Sequence, residues 1–206
     1  MQKRLLVLGF LLAVLILVAP ATAQEDVTFT WGTFGNPVSL DGMNTTDGVS
    51  FRVITQGCES LLKFTETGAI PNLATSWETS EDGMTWVFQL QEGVTFHDGT
   101  PFNAEAVAWN FNRWAFTDHP AHFEDFIFTY YSWLFGGYDD DSLIASAEAT
   151  GEYEVSFVLR QPNGVFLTNM AVVMAAIHSP TAIEAAGNSY GEPEVGFVCT
   201  GPYKFV

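Results

Sequence analysis

Residues 76–113 read SWETSEDGMTWVFQLQEGVTFHDGTPFNAEAVAWNFNR, and three kinds of local signal follow one another along them. Asp82-Gly83 sits between two alternating runs, the strongest short-range sign of a β-hairpin. Beyond that turn Met84, Trp86, Phe88 and Leu90 fall on one face of a strand and Thr85, Val87 and Gln89 on the other. Trp77 on the incoming strand is placed to pair across. A second turn, Asp98-Gly99-Thr100-Pro101, leads to Asn103, whose side chain can cap a helix, with Glu105 in the first turn favourable to the helix dipole. Ala104, Val107, Ala108, Phe111 and Trp114 then recur at helical spacing. Strand, turn and capped helix account for the whole of 94–107.

His97 and Asp98 lie inside this hand-over, and their proximity raises the question of catalysis. Neighbours on an extended strand point to opposite faces, so the two cannot easily act on one atom. No G-x-S-x-G elbow and no H-E-x-x-H accompanies them. Asp98 before Gly99 is ordinary turn chemistry. The sequence therefore points to no enzyme and no cofactor.

Working outward, residues 27–34 (VTFTWGTF) alternate and predict a first strand with Val27, Phe29 and Trp31 on one face. Residues 35–48 form a turn-rich loop. Residues 49–64 carry Val53, Ile54, Cys58, Leu61 and Leu62 at helix-like spacing despite Gly57, and predict one helix. Residues 117–141 are irregular and aromatic. Residues 152–166 predict a strand with Tyr153, Val155, Phe157 and Leu159 inward, ended by Pro162-Asn163-Gly164. A short apolar helix or buried segment runs to Ile177. Ser179-Pro180 starts a helix that Gly187 stops, and 191–206 reads as the start of a strand, as if its partner strands were missing.

The first residues have a different character. Lys3-Arg4 precedes a run of 14 apolar residues, Leu5 to Val18, then Pro20 and Ala21-Thr22-Ala23. A bilayer span needs about 20 residues, so this reads as a secretory signal peptide cleaved after Ala23. The remainder keeps five basic residues against 24 acidic ones, a net charge of −19. Such a field repels nucleic acid and anionic headgroups, which makes both poor candidate partners. Asp139-Asp140-Asp141 reads as a solvated loop. Cys58 and Cys199 could form a disulfide in an oxidising compartment or remain two buried thiols.

Two further constellations concern ligands. His119-Pro120-Ala121-His122 with Glu124 has metal-like spacing, but Pro120 disfavours a helix there and further ligands are lacking, so a loop is the better reading and no metal site is assigned. Trp31, Phe34, Tyr130, Tyr131 and Trp133 could line an apolar pocket or pack in a core.

In order, NPVSLDG, CESLLKF, the run IPNLATSWETSEDGMTWVFQLQEGVTFHDGTPFNAEAVAWNFNR, YEVSFVLRQPNGVFL, HSPTAIE and TGPYKF resemble one family. It is the extracytoplasmic solute-binding proteins of ABC importers that carry dipeptides, oligopeptides and nickel. The resemblance runs from Val27 to the last residue. It departs at Gln91, where a basic residue is usual, at Cys58, where an aromatic is usual, and at Cys199, where glycine is usual. The two cysteine departures occurring together favour the bridge.

The resemblance implies an α/β, periplasmic-binding-protein-like two-lobed fold of the class II, peptide-binding type. On it, 24–62 begins lobe I, 63–190 forms an inserted small subdomain and 191–206 returns to lobe I, with lobe II lying beyond the chain. The implied function is non-enzymatic capture of peptides for a membrane permease and its ATPase, by a protein that is monomeric at full length. A nickel or metal-chelate ligand is the alternative within the family. An exported hydrolase would need a paired nucleophile and base, and a structural surface protein would need repeats. The ligand-facing residues it implies are Thr33, Phe34, Gly35 and Asn36 after the first strand, and Tyr130, Tyr131 and Trp133. The main ligand anchor would lie in the second lobe.

Overall fold

The computed structural model describes residues 28–206, so the signal-peptide reading and Val27 lie outside the described residues. Residues 33–206 form one compact unit. Its frame is a four-stranded antiparallel sheet in the order β3-β4-β6-β5, comprising β3 (Ala74–Thr79), β4 (Thr85–Leu90), β5 (Ile144–Gly151) and β6 (Glu154–Leu159). A separate two-stranded hairpin holds β1 (Leu62–Thr65) and β2 (Gly68–Pro71). The helices are α1 (Gly48–Gly57), α2 (Ala104–Ala115), α3 (Thr129–Phe135), α4 (Phe166–Asn169) and α5 (Pro180–Ala186).

The hairpin at Asp82-Gly83 forms as its sequence predicts. Trp77 faces Phe88 across the β3–β4 pair, and Ser80 Oγ donates to Asp82 Oδ1 at 2.5 Å within the turn. Phe88 and Leu90 are buried on the inner face, as are Val155, Phe157 and Leu159 on β6. The α2 helix lies across β5 and β6, with Asn103 Oδ1 accepting the Ala106 N–H at 2.9 Å. Val107, Phe111 and Trp114 are buried against the sheet. Phe111 meets Phe157 edge-on at 4.8 Å, and Phe157 meets Phe88 at 5.6 Å. Aromatic rings in this arrangement add to the area they bury, and they form the centre of the core. At α5, Ser179 caps the first turn through the Ala182 N–H, and Gly187 ends it at φ 58°.

Four expectations are corrected. Residues 28–36 contain no strand: alternation makes a segment competent to be a strand, but only a hydrogen-bonded neighbour makes it one, and none pairs with it among the described residues. The predicted helix over 49–64 ends at Gly57, where an added Cβ would collide with the Phe197 ring and the Tyr203 carbonyl. Leu61 and Leu62 are buried through an extended segment instead, with Leu62 opening β1. Residues 191–206 carry no strand, because their backbone groups are used in loop contacts: Cys199 O accepts from His97 N at 2.8 Å, and Gly201 N donates to Gly57 O at 2.9 Å. Finally, the whole of β5, residues 144–151, forms where no strand was anticipated.

Candidate ligand-facing surface

The loop Thr33–Asn36 is exposed along its length. It is held at its far end, where Ser50 Oγ accepts the N–H groups of Val38 and Ser39 at 2.9 and 3.3 Å. Ser50 itself donates through N and Oγ to Asp47, the N-cap of α1, at 2.8 and 2.9 Å. The backbone donor of Ser50 is the largest cause holding the Asp47 carboxyl below its ordinary range. The loop is thus tethered to the first turn of α1, so Phe34 comes to lie with its ring 5.3 Å from the Arg52 guanidinium carbon.

A neighbouring residue of the same helix reaches the second expected region. Phe51 meets the Tyr130 ring edge-on at 5.1 Å, and Tyr130 meets Trp133 at 5.2 Å. Two segments separated by about ninety residues, which local sequence gives no reason to join, are therefore connected through α1. Phe34 is 82% exposed, Trp133 66% and Ile127 70%.

Tyr131 departs from expectation. It is fully buried, its hydroxyl lies 2.6 Å from Ser142 Oγ, and burial pushes its ionisation upward. Residues i and i+2 of a helix point to different sides, so Tyr131 serves the core while Trp133 serves the surface.

The histidines are all engaged by the fold. His97 Nε2 lies 2.7 Å from Gly201 O, while Asp98 Oδ2 accepts from Ser179 Oγ at 2.6 Å and Asp98 Oδ1 from Thr100 N at 2.9 Å. The pair holds two loops together and does not converge on a common atom. His119 stands edge-on to Trp109 at 5.0 Å with its Nδ1 accepting from Ala121 N. His122 Nδ1 donates to Arg113 O at 2.8 Å. Burial lowers the pKa of both. Among the described residues they join no third metal-type donor; the one such cluster is Cys58, His178 and Cys199. Its sulfurs are bonded to each other as a disulfide, which leaves no thiolate for a metal.

That bridge joins the C-terminal end of α1 to a segment 141 residues later. A second long-range tie had no local signal. Asp41 of SLDG and Arg113 of FNR form an ion pair at 2.6 Å with both side chains fully buried. Arg113 Nε also donates to Ala121 O at 3.0 Å, and its guanidinium lies over Phe126 and Phe128 at 5.3 and 4.9 Å. Nearby, buried Asn110 donates to His178 O at 2.8 Å, and His178 Nδ1 lies 2.8 Å from the Tyr190 hydroxyl. Burial holds the His178 imidazole down at about 4.

The model of bacterial extracellular solute-binding proteins, family 5 (middle region), matches residues 68–206. The chain belongs to this family. The glutathione-binding protein GsiB of Pectobacterium atrosepticum is 32% identical over 100% of the chain and 36% of its own length. That of Escherichia coli K12 is 32% identical over 94% and 34%. The chain spans about a third of the length of the curated relatives it matches. Among solved structures, a dipeptide-binding protein from Pseudoalteromonas sp. SM9913 in complex with Met-Leu superposes with a TM-score of 0.74 and 28% identity, covering 84% of this chain and 36% of that one. The periplasmic binding protein DppA of Helicobacter pylori, in complex with the peptide STSA, gives 0.70 and 28%, covering 83% and 35%. The fold is accordingly the corresponding part of the two-lobed peptide-binding-protein architecture. No helix among the described residues is long and apolar enough to cross a membrane.

Proposed function

We propose that this chain belongs to the extracytoplasmic substrate-binding component of an ABC importer that captures short peptides and delivers them to a membrane permease driven by its ATPase. The observation that carries the reading is the family match over 68–206 together with relatives named for peptide-like ligands; glutathione is itself a modified tripeptide. The surface of Thr33, Phe34, Gly35, Asn36, Tyr130 and Trp133 supports it, since exposed rings beside backbone donors and acceptors suit a ligand made of apolar side chains on a polar chain. Tyr131 positions that surface from beneath. In this reading the protein is exported, its signal peptide is removed after Ala23, and it acts as a monomer. Residues 24–62 and 191–206 belong to lobe I and 63–190 to the inserted subdomain. Closure on a second lobe traps the ligand, and no bond of the ligand is broken.

Calorimetry on the whole exported protein with dipeptides, tripeptides, glutathione and a nickel chelate tests this. Saturable binding of one or more peptides is expected, weakened at least about tenfold by Trp133→Ala if the ring covers ligand. Tight binding of the nickel chelate with no peptide bound would replace the peptide reading by the metal-chelate one, a possibility kept open by the likeness to NikA from Brucella suis in complex with Fe(III)-EDTA (TM-score 0.63, 26% identity, covering 86% of this chain and 32% of that one).

A further inference from the structure

Five basic residues follow Ala23, against 24 acidic ones, so a carboxylate approaching this chain meets repulsion unless a cation stands where it lands. Arg113 is buried and paired with Asp41. Arg160 lies 3.5 Å from Asp140 and donates to the carbonyls of Ser142 and Asp139 at 3.0 Å. Lys63 lies on β1, and Lys204 belongs to the final loop. Arg52 alone stands on the aromatic surface, exposed, with its guanidinium over Phe34.

The form of that contact matters more than its presence. The guanidinium carbon lies 5.3 Å from the centre of the Phe34 ring, and a cation drawn to a ring face in this way uses none of its N–H donors in a hydrogen bond. Among the described residues Arg52 forms no ion pair, and its side chain–backbone contacts with Thr55 and Gln56 use its carbonyl oxygen, which leaves the guanidinium edge to solvent. The ring limits the rotamers of an otherwise mobile side chain, so less freedom is lost when two parallel N–H···O bonds form. A carboxylate is the group whose geometry matches such an edge.

From this juxtaposition we infer that Arg52, held against Phe34, is the anchor for the carboxylate of the ligand and selects peptides with a free C-terminus. The inference rests on the peptide reading above. It gives the ligand a direction: its carboxylate lies at Arg52, midway along α1, and its apolar side chains lie toward Tyr130 and Trp133, with its amino group directed away into the acidic field.

The test compares each peptide that binds the whole protein with its C-terminal amide, by calorimetry at low and moderate salt, in the wild type, Arg52→Gln, Arg52→Lys and Lys63→Gln. Arg52→Gln is expected to weaken the free acid about 10- to 100-fold and to leave the amide within about twofold. Arg52→Lys recovers part of the loss, since it restores charge without the fork. Lys63→Gln removes the same charge from elsewhere and leaves both ligands unchanged. The inference is overturned if Arg52→Gln weakens acid and amide alike, if it weakens neither, or if Lys63→Gln reproduces its effect, which would assign the result to bulk charge. A wild type that binds neither acid nor amide overturns the peptide reading itself, an outcome distinct from peptides that bind but ignore Arg52.

Discussion

Two arginines in this molecule make the same contact with opposite consequences. Arg113 lies over Phe126 and Phe128 at 5.3 and 4.9 Å, and Arg52 lies over Phe34 at 5.3 Å. Arg113 is fully buried: Asp41 meets Nη2 and the Ala121 carbonyl meets Nε, while Nη1 has no hydrogen-bond partner among the described residues. Taking a guanidinium out of water costs several kcal/mol, which the Asp41 charge, the Ala121 carbonyl and the two rings must offset. Arg52 is exposed, and among the described residues its guanidinium forms no ion pair or hydrogen bond beside the Phe34 ring. Ring stacking therefore does not by itself tell a strut from a recognition group. The distinction lies in whether the remaining donors are buried within the fold or open to solvent.

The largest expected effect lies on the buried side. Arg113→Met leaves the Asp41 carboxylate buried without its partner and should cost about 3–5 kcal/mol in urea unfolding. Asp41→Leu combined with Arg113→Met should recover much of that loss, because no charge is then left alone. Arg52→Gln should stay within about 0.5 kcal/mol of the wild type. Equal losses at the two arginines would break the comparison.

The disulfide comes next. Replacing Cys58 and Cys199 by Ala together should cost about 2–4 kcal/mol, since the bridge closes a separation of 141 residues. Unfolding of the double variant beside the oxidised wild type checks this, and an unchanged midpoint would mean that the Asp41–Arg113 seam alone holds the two ends.

A third effect concerns pH. Burial holds His178 at about 4, below its ordinary 6.5. As the pH falls, the unfolded chain therefore takes up the proton first. The stability this neutral histidine permits is complete above pH 6.5, declines as the pH falls toward 4 and levels off below. The full swing is about 3 kcal/mol. The lowered carboxyls of Asp47 and Asp98 add losses of the same sign at lower pH, so the informative quantity is the difference between wild type and His178→Gln. The slope between pH 6.5 and 4 should be shallower in the variant. An identical slope in both would show that His178 does not report on the buried side at all.

What the sequence disclosed follows from how far each signal reaches. Asp82-Gly83, the Asn103 cap and Ser179-Pro180 are complete within a few residues, and each forms as read. The β5 segment, IASAEATG, has almost none of the β-branched or aromatic residues that mark strands; it is a strand because β6 lies beside it. Residues 28–34 have the converse problem, alternation without a paired neighbour among the described residues. Asp41 and Arg113 are separated by 72 positions, and each sits in a stretch quoted for the family resemblance. A buried polar pair leaves no periodic trace, so only its two motifs were visible. The surface is a mixed case. Phe34 and Trp133 are exposed, which a ligand-facing role requires but does not establish, and Arg52 lay unremarked inside a helical pattern, because its proposed role depends on Phe34 lying against it.

The smallest expected effect sets the comparison inside a single helix. Tyr131 and Trp133 are two positions apart on α3, one fully buried and the other 66% exposed. Tyr131→Phe keeps the ring and removes the hydroxyl 2.6 Å from Ser142 Oγ. It leaves a buried polar atom with one partner fewer, which should cost about 1 kcal/mol. Ser142 Oγ also accepts from Ile144 N at 3.1 Å, which keeps the loss at the lower end of what an orphaned hydroxyl incurs. Trp133→Ala removes the larger side chain yet should shift stability by no more than about 0.5 kcal/mol, because most of its surface is already in water. Urea unfolding of the two variants should therefore rank them opposite to their volumes, and peptide affinity should rank them the other way. If Trp133→Ala proves the more destabilising of the two, its ring is packed as part of the fold, and the proposed ligand-facing surface narrows to Phe34 and Arg52.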